Sequence, residues 1–168
     1  MSERDQSQQV QTGVRGAPRE EGRLVDGRRD GLWTRYYAHG RREEEASYRR
    51  GVLHGPATRW YPTGQLRSEL SWRDGVLQGP AATWHPNGRL ATEGEYLGGC
   101  PHRLLTRFWP SGRRMIEGEF DGGVPVGRWC AWTPDGELAY AGPWTEDLRS
   151  ALPRELMAGV TRVLANVA

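Results

Sequence analysis

The sequence predicts an all-β repeat array, an antiparallel meander of β-hairpins forming an elongated twisted sheet and capped by a C-terminal α-helix. Three observations carry that prediction. Trp60-Tyr61-Pro62-Thr63-Gly64 returns in near copy at 84–88, 108–112 and 132–136, always 24 residues on, with a weaker copy at 36–40. Eight tryptophans against two phenylalanines, with 23 glycines and 11 prolines, describe aromatic strands punctuated by turns rather than a helical bundle. After Trp144 the register stops, and the apolar residues take up helical spacing.

Taken in order, residues 1–18 are polar, with two valines as their hydrophobic content. Such a stretch cannot offset the entropy of ordering, so a disordered tail is expected. The repeat array covers residues 19–144. It opens with a half repeat at 19–29, because Glu21, Gly22 and Gly27 lie one period before Glu45, Ala46 and Gly51. Full repeats start at Asp30, His54, Gln78, His102 and Val126. In each, two short runs such as 57–61 and 65–72 flank the Pro-x-Gly turn, giving eleven or so strands.

The turn chemistry supports hairpins. Pro62, Pro86, Pro110 and Pro134 fix φ at the second turn position. The register glycines Gly40, Gly64, Gly88, Gly112 and Gly136 supply the positive φ that closes a type I turn with a G1 bulge. Ala38 and His39 replace Pro-x in the first repeat, where the loosest turn is expected. A second glycine-rich connection, 51–55 and 75–79, links the hairpins, and Arg103 in place of its second glycine predicts an irregular junction.

If Tyr61 faces Gln65 across the turn, simple alternation puts Trp60, Leu66, Leu70 and Trp72 on one face. Stacking the repeats then extends an aromatic ladder through Trp84 and Tyr96, Phe108 and Phe120, and Trp132 and Trp144. The other face receives Arg35 and Tyr37, Arg59 and Tyr61, and Arg107 and Trp109, together with the column Glu21, Glu45, Glu69, Glu93 and Glu117. Residues 145–168 form the helix, with Leu152, Leu156, Val160, Val163, Leu164 and Val167 on one side, Ser150 as cap and Pro153 in the first turn. Such a helix can cover the open edge of the last hairpin or dock a partner.

Composition excludes several functional classes. Net charge is +2 and every basic residue is arginine, so acids nearly match bases, whereas a nucleic-acid groove needs a net positive field. No nucleic-acid partner is expected. No signal peptide and no span of about 20 apolar residues is present, which makes the cytoplasm the default location. Cys100 and Cys130 are 30 residues apart, off the period, and are expected to remain reduced.

Residues 117–123 (Glu-Gly-Glu-Phe-Asp-Gly-Gly), followed by Gly127-Arg128-Trp129, resemble the MORN repeat (membrane occupation and recognition nexus). The aromatic-aromatic-Pro-x-Gly run and the 24-residue period are more similar to its bacterial variant, many of whose members are described as the antitoxin component of toxin and antitoxin pairs. The resemblance covers residues 19–144. It implies a bacterial protein that binds another protein, a toxin encoded nearby being a special case, while a peripheral membrane module holding lipid headgroups is the alternative.

Catalytic chemistry finds no foothold in the sequence. His39, His54, His85 and His102 lack Cys, Asp or Glu partners at ligand spacing, and His54 and His102, two hairpins apart, should be separated by about 19 Å at about 4.8 Å per strand. The glutamate column recurs with the repeat, about 10 Å from hairpin to hairpin, which suits a ladder with Arg35, Arg59 and Arg107 rather than a catalytic pair. With no nucleophile elbow and no phosphate loop, a non-enzymatic scaffold without metal or cofactor is expected. The candidate partner-binding strip is Arg35, Tyr37, Arg59, Tyr61, His85, Arg107 and Trp109, because aromatic and arginine side chains dominate interface energetics.

Overall fold

The computed structural model describes residues 7–12 and 19–145, with side chains from residue 19 onward. The chain divides into two compact units at Val76 and Leu77. The first contains β1 (Ser7–Thr12), β2 (Glu20–Val25), β3 (Arg28–Tyr36), β4 (Arg42–Arg49), β5 (Val52–Trp60) and β6 (Leu66–Arg73). The second contains β7 (Val76–Trp84), β8 (Leu90–Leu97), β9 (Cys100–Phe108), β10 (Arg114–Asp121), β11 (Val124–Trp132) and β12 (Leu138–Pro143). Within each unit, strands pair antiparallel with their neighbours in the chain, as a hairpin meander requires. β1 was not anticipated, since it lies inside the stretch expected to be disordered. Its backbone pairs with β2 over 7–12 and 20–25, and such pairing occupies an edge whatever the side chains. The expected C-terminal helix falls at residues 146–168, outside the described residues.

Two turn types alternate. At the Pro-x-Gly turns the expected pairing holds: Tyr61 N donates to Gln65 O and Gly64 N to Tyr61 O, each at 2.8 Å, and Gly64 has φ +96°. The first repeat makes the same two bonds at Tyr37 and Gly40, both at 2.8 Å, so its turn is no looser without proline. Its His39 ring stacks on Tyr37 with centroids 5.4 Å apart, and His39 Nε2 meets Pro62 O at 3.0 Å. The other turns hold two successive residues at positive φ, such as Asp74 (+52°) and Gly75 (+81°), as in a type I′ hairpin.

Each repeat also contains a bulge that alternation does not anticipate. Arg59 lies opposite Ser68, but Trp60 lies opposite Leu66, so Arg67 has no counterpart across the ladder. The same shift recurs between Arg35 and Tyr36, Thr83 and Trp84, Arg114 and Ile116, and Ala131 and Trp132. A second irregularity marks the junctions of β2 with β3, β4 with β5, β8 with β9 and β10 with β11, for instance between Ala46 and Tyr48, which face Ala57 and Leu53. Arg103 does not disturb it. At φ +62° it adopts the conformation of Gly55, Gly79 and Gly127, and the register shift beside it matches the others.

The bulge divides the expected ladder between two faces in each unit. In the first unit Leu70 and Trp72 share one face, its first, with Arg35 and Arg59, whereas Trp60 and Leu66 lie on its second face with Glu21, Glu45 and Glu69. In the second unit Tyr96, Phe120 and Trp144 share the first face with Arg107, whereas Trp84, Phe108 and Trp132 lie on the second with Glu93 and Glu117. The apolar side chains buried on the first face include Trp33, Ala46 and Ala57 in one unit, and Ala81, Leu105, Ile116, Phe120, Trp129 and Ala131 in the other, while the buried Thr34 and Thr106 lie on the second face opposite Glu45 and Glu117.

Close packing there depends on volume exchanged between neighbouring strands. Trp33 lies over Gly22, where an added Cβ would come within 2.4 Å of the indole, and Trp129 lies over Gly118 at 2.1 Å. Leu105 sits between Gly94 and Gly118, while Ala57 faces Ala46 and Leu70. Large residues meet glycine, and Ala46 and Ala57, which face each other, each meet a larger residue on the other side, Trp33 and Leu70. Each buried indole also satisfies its N–H, Trp33 on Arg23 O and Trp129 on Val126 O, both at 3.0 Å.

Candidate interaction surface

The predicted strip does not assemble as one surface. Arg35 and Arg59 reach the first face and converge on Glu44, Nη2 of Arg35 lying 2.6 Å from its carboxylate and Nε of Arg59 2.7 Å. Arg35 also approaches Glu43 at 3.2 Å. Arg107 is on that face opposite Thr92 and Ile116. The glutamate column therefore finds other partners: Tyr36 donates to Glu21, Arg42 pairs with Glu45 at 2.7 Å, and Arg114 approaches Glu117 at 3.6 Å. The bulge is the cause of this change, because it separates Arg35 and Arg59 from the glutamates they were expected to meet.

Tyr37, His85 and Trp109 sit at the Pro-x-Gly turns, half-buried, and their polar atoms are used by the repeat that follows. Tyr37 Oη donates to Trp60 O at 2.7 Å, His85 Nε2 meets Phe108 O at 2.9 Å, and Trp109 Nε1 donates to Trp132 O at 3.1 Å. Each bond spans 23 residues, one less than the period. Asn87 Nδ2 extends the pattern to Pro110 O at 2.7 Å, and Arg41 and Arg113 donate to Thr63 O and Asp135 O. These side chains bind one turn to the next. Tyr61, at the same repeat position, lies beneath the Arg67 guanidinium, 5.8 Å from its ring centroid.

The second face offers a better candidate. Tyr36 and Trp60 in one unit, and Trp84, Phe108 and Trp132 in the other, are half-buried rather than buried. Arg42 lies over the Trp60 ring at 5.5 Å and Arg114 over Trp132 at 5.9 Å. Leu66 and Leu90 stand opposite Trp60 and Trp84, and Leu138, opposite Trp132, is 58% exposed. Sequence reasoning placed these aromatic residues in one ladder with Trp72, Tyr96, Phe120 and Trp144, and missed Arg42, Arg114 and Tyr36. It also missed the buried Trp33 and Trp129, whose repeat position holds Ala57, Ala81 and Leu105 elsewhere. The available signal was the paired glycine, Gly22 or Gly118, one strand away.

Three groups have shifted acidities. The hydrogen bond to Glu21 holds the Tyr36 phenol above its ordinary range. Burial raises the Tyr96 phenol, against the lowering influence of Arg107. The Arg49 guanidinium, 2.5 Å away, holds the exposed Asp74 carboxyl below the usual carboxylate range. None of the three belongs to a cluster of potential ligands: among the described residues, no group of three or more His, Cys, Asp or Glu could hold a metal ion. His54, which shares its repeat position with His102, accepts the Asp74 N–H at 3.4 Å, as Asp30 accepts Arg50 N and Gln78 accepts Gly98 N. Among the described residues, no helix is long and apolar enough to cross a membrane.

A family model described as MORN repeat variant matches residues 29–50 and 53–74, two successive hairpins of the first unit. Those segments are similar to that repeat. None of the curated proteins compared with the chain matches it.

Proposed function

We propose that the protein is a non-enzymatic scaffold that binds protein through the second face of each unit, with Trp60 as the anchor on the first unit and Trp132 as the anchor on the second. Repeats of this kind are often protein or membrane-lipid interaction modules. The observation that supports the protein reading is the half-buried aromatic rings of each unit's second face, Trp60 beside Leu66 under Arg42 in the first and Trp132 beside Leu138 under Arg114 in the second. Aromatic rings and arginines are the side chains that anchor interfaces. The first face is already committed to packing in Trp33, Phe120 and Trp129, and Tyr37, His85 and Trp109 to the turns. An antitoxin or immunity role, in which the scaffold occludes a toxin encoded beside it, is the special case of this reading.

The test is quantitative capture from native lysate by the wild-type chain and by a Trp60→Ala, Trp132→Ala variant of unchanged strand content. Partners held by the wild type should fall at least tenfold with the variant. Equal capture sinks the assignment of this face. The antitoxin case has its own readout: co-expression with the product of the adjacent reading frame should relieve a growth defect that the frame causes alone. The lipid reading draws on the arginine-over-indole pairs, Arg42 on Trp60 and Arg114 on Trp132, since aromatic rings and cations also suit a headgroup layer. Flotation with anionic vesicles, in the absence of protein capture, would favour it.

A further inference from the structure

On the second face of the second unit, Leu97, Leu104 and Val124 are 50%, 49% and 61% exposed. They stand among three exposed carboxylates: Leu104 lies opposite Glu119, Val124 opposite Asp121, and Glu95 two residues before Leu97 on β8. We propose that this patch binds a basic segment of a partner protein, one in which lysine or arginine is interspersed with leucine-like side chains. The inference goes beyond the tryptophan anchors, because Val124 and Trp132 stand at opposite ends of β11, about 25 Å apart at about 3.3 Å per residue.

The repeat itself does not require these side chains. Ser47, Ser71, Glu95 and Glu119 share one repeat position, and Arg49, Arg73, Leu97 and Asp121 share another, two residues on. Strands form with either set, so hairpin formation dictates neither the acids nor the leucine. The carboxylates are also poorly compensated. Among the described residues Glu119 makes no ion pair, Glu95 has only the exposed Arg103 at 3.5 Å, and Asp121 only the His102 ring at 3.9 Å. Three carboxylates against one arginine leave a local negative field. One exposed apolar residue would need no account, but three on adjacent strands among carboxylates set two requirements on an occupant, apolar contact and positive charge. Lysine and arginine meet both, since their methylene stems lie along apolar surface while the charged head reaches a carboxylate. A nucleic acid or an anionic headgroup is repelled by the same field.

The full-length chain is titrated into two fluorescein-labelled peptides of equal length and identical leucine positions, one carrying lysine and the other glutamate elsewhere, with binding read by fluorescence anisotropy. The lysine peptide should bind about tenfold or more tightly than the glutamate peptide, and added salt should weaken it. Leu104→Ser, Val124→Ser should weaken it by about tenfold with strand circular dichroism unchanged. Glu95→Gln, Glu119→Gln should weaken it by a similar factor and flatten the salt dependence. Should the serine variant fail to fold, the glutamine variant still decides, because its substitutions keep their size at exposed positions. Glu137→Gln, which removes an exposed carboxylate at the turn after β11, should leave the affinity unchanged. Equal affinity for the two peptides, an unchanged affinity of the folded glutamine variant, or an equal loss with Glu137→Gln overturns the proposal. Capture by the tryptophan variant reads the anchors and this titration reads the patch, so either can fail alone. A wild-type mass that rises with concentration on sedimentation, and returns to the monomer with Leu104→Ser, Val124→Ser, overturns the proposal in favour of a second copy of the chain.

Discussion

Trp129 and Trp132, three residues apart on β11, show how a single position decides what an aromatic residue does. Trp129 is 2% exposed, tilted against Trp144 and in edge contact with Phe120, whereas Trp132 is half-buried beneath Arg114. Replacing Trp129 with Ala should cost about 3 to 5 kcal/mol, and replacing Trp132 less than half of that, as read from chemical denaturation. Equal costs would mean that Trp132 is part of the core. Gly118→Ala should cost about 1 to 3 kcal/mol or more, because its Cβ would meet the rigid Trp129 indole at 2.1 Å. The Tyr36 phenol gives a pH prediction. Its pKa is raised by the hydrogen bond it donates to Glu21, so its contribution is complete below the ordinary phenol range and is lost as pH rises through the raised value. Tyr36→Phe should therefore flatten the alkaline fall in melting temperature while changing the acid side little.

At the scale of the element, the turn-to-turn bonds explain why the hairpins keep their register. Tyr37, His85 and Trp109 each satisfy a carbonyl of the following repeat, and the sequence had offered the same residues as a binding strip. Trp109→Phe keeps the apolar ring and removes the N–H to Trp132 O, so it should cost about 1 kcal/mol. No loss on denaturation would return Trp109 to the candidate binding residues. Arg103 occupies a left-handed conformation that glycine holds at the same position in the other repeats, with only an exposed contact to Glu95 at 3.5 Å. Arg103→Gly should raise stability by about 0.5 to 1 kcal/mol, since relief of strain outweighs the added freedom of the unfolded chain. A lower melting temperature would contradict that account.

For the whole molecule, each repeat depends mainly on its neighbours, as in other arrays. Damage should therefore stay local. Gly118→Ala is expected to reduce amide protection in β9 to β12 while leaving β3 to β5 close to wild type, which native-state hydrogen exchange can resolve. Uniform loss of protection would instead describe one cooperative body.

The sequence by itself determined the period, the hairpins, both families of turns and the absence of a recognisable catalytic motif. These follow from local chemistry: proline and glycine fix backbone angles wherever they stand, and a repeat shows itself by comparison with its own copies. Only the tertiary structure decided which face each side chain takes. One unpaired residue per repeat, such as Arg67 opposite the step from Arg59 to Trp60, reverses the alternation that follows it. No residue type signals that insertion, since the position is filled in turn by Glu43, Arg67, Ala91, Met115 and Ala139. The consequence reaches the candidate surface directly. It separated Trp60 from Trp72, moved the arginines away from the glutamate column, and buried Trp33 and Trp129 at a position where other repeats place alanine or leucine.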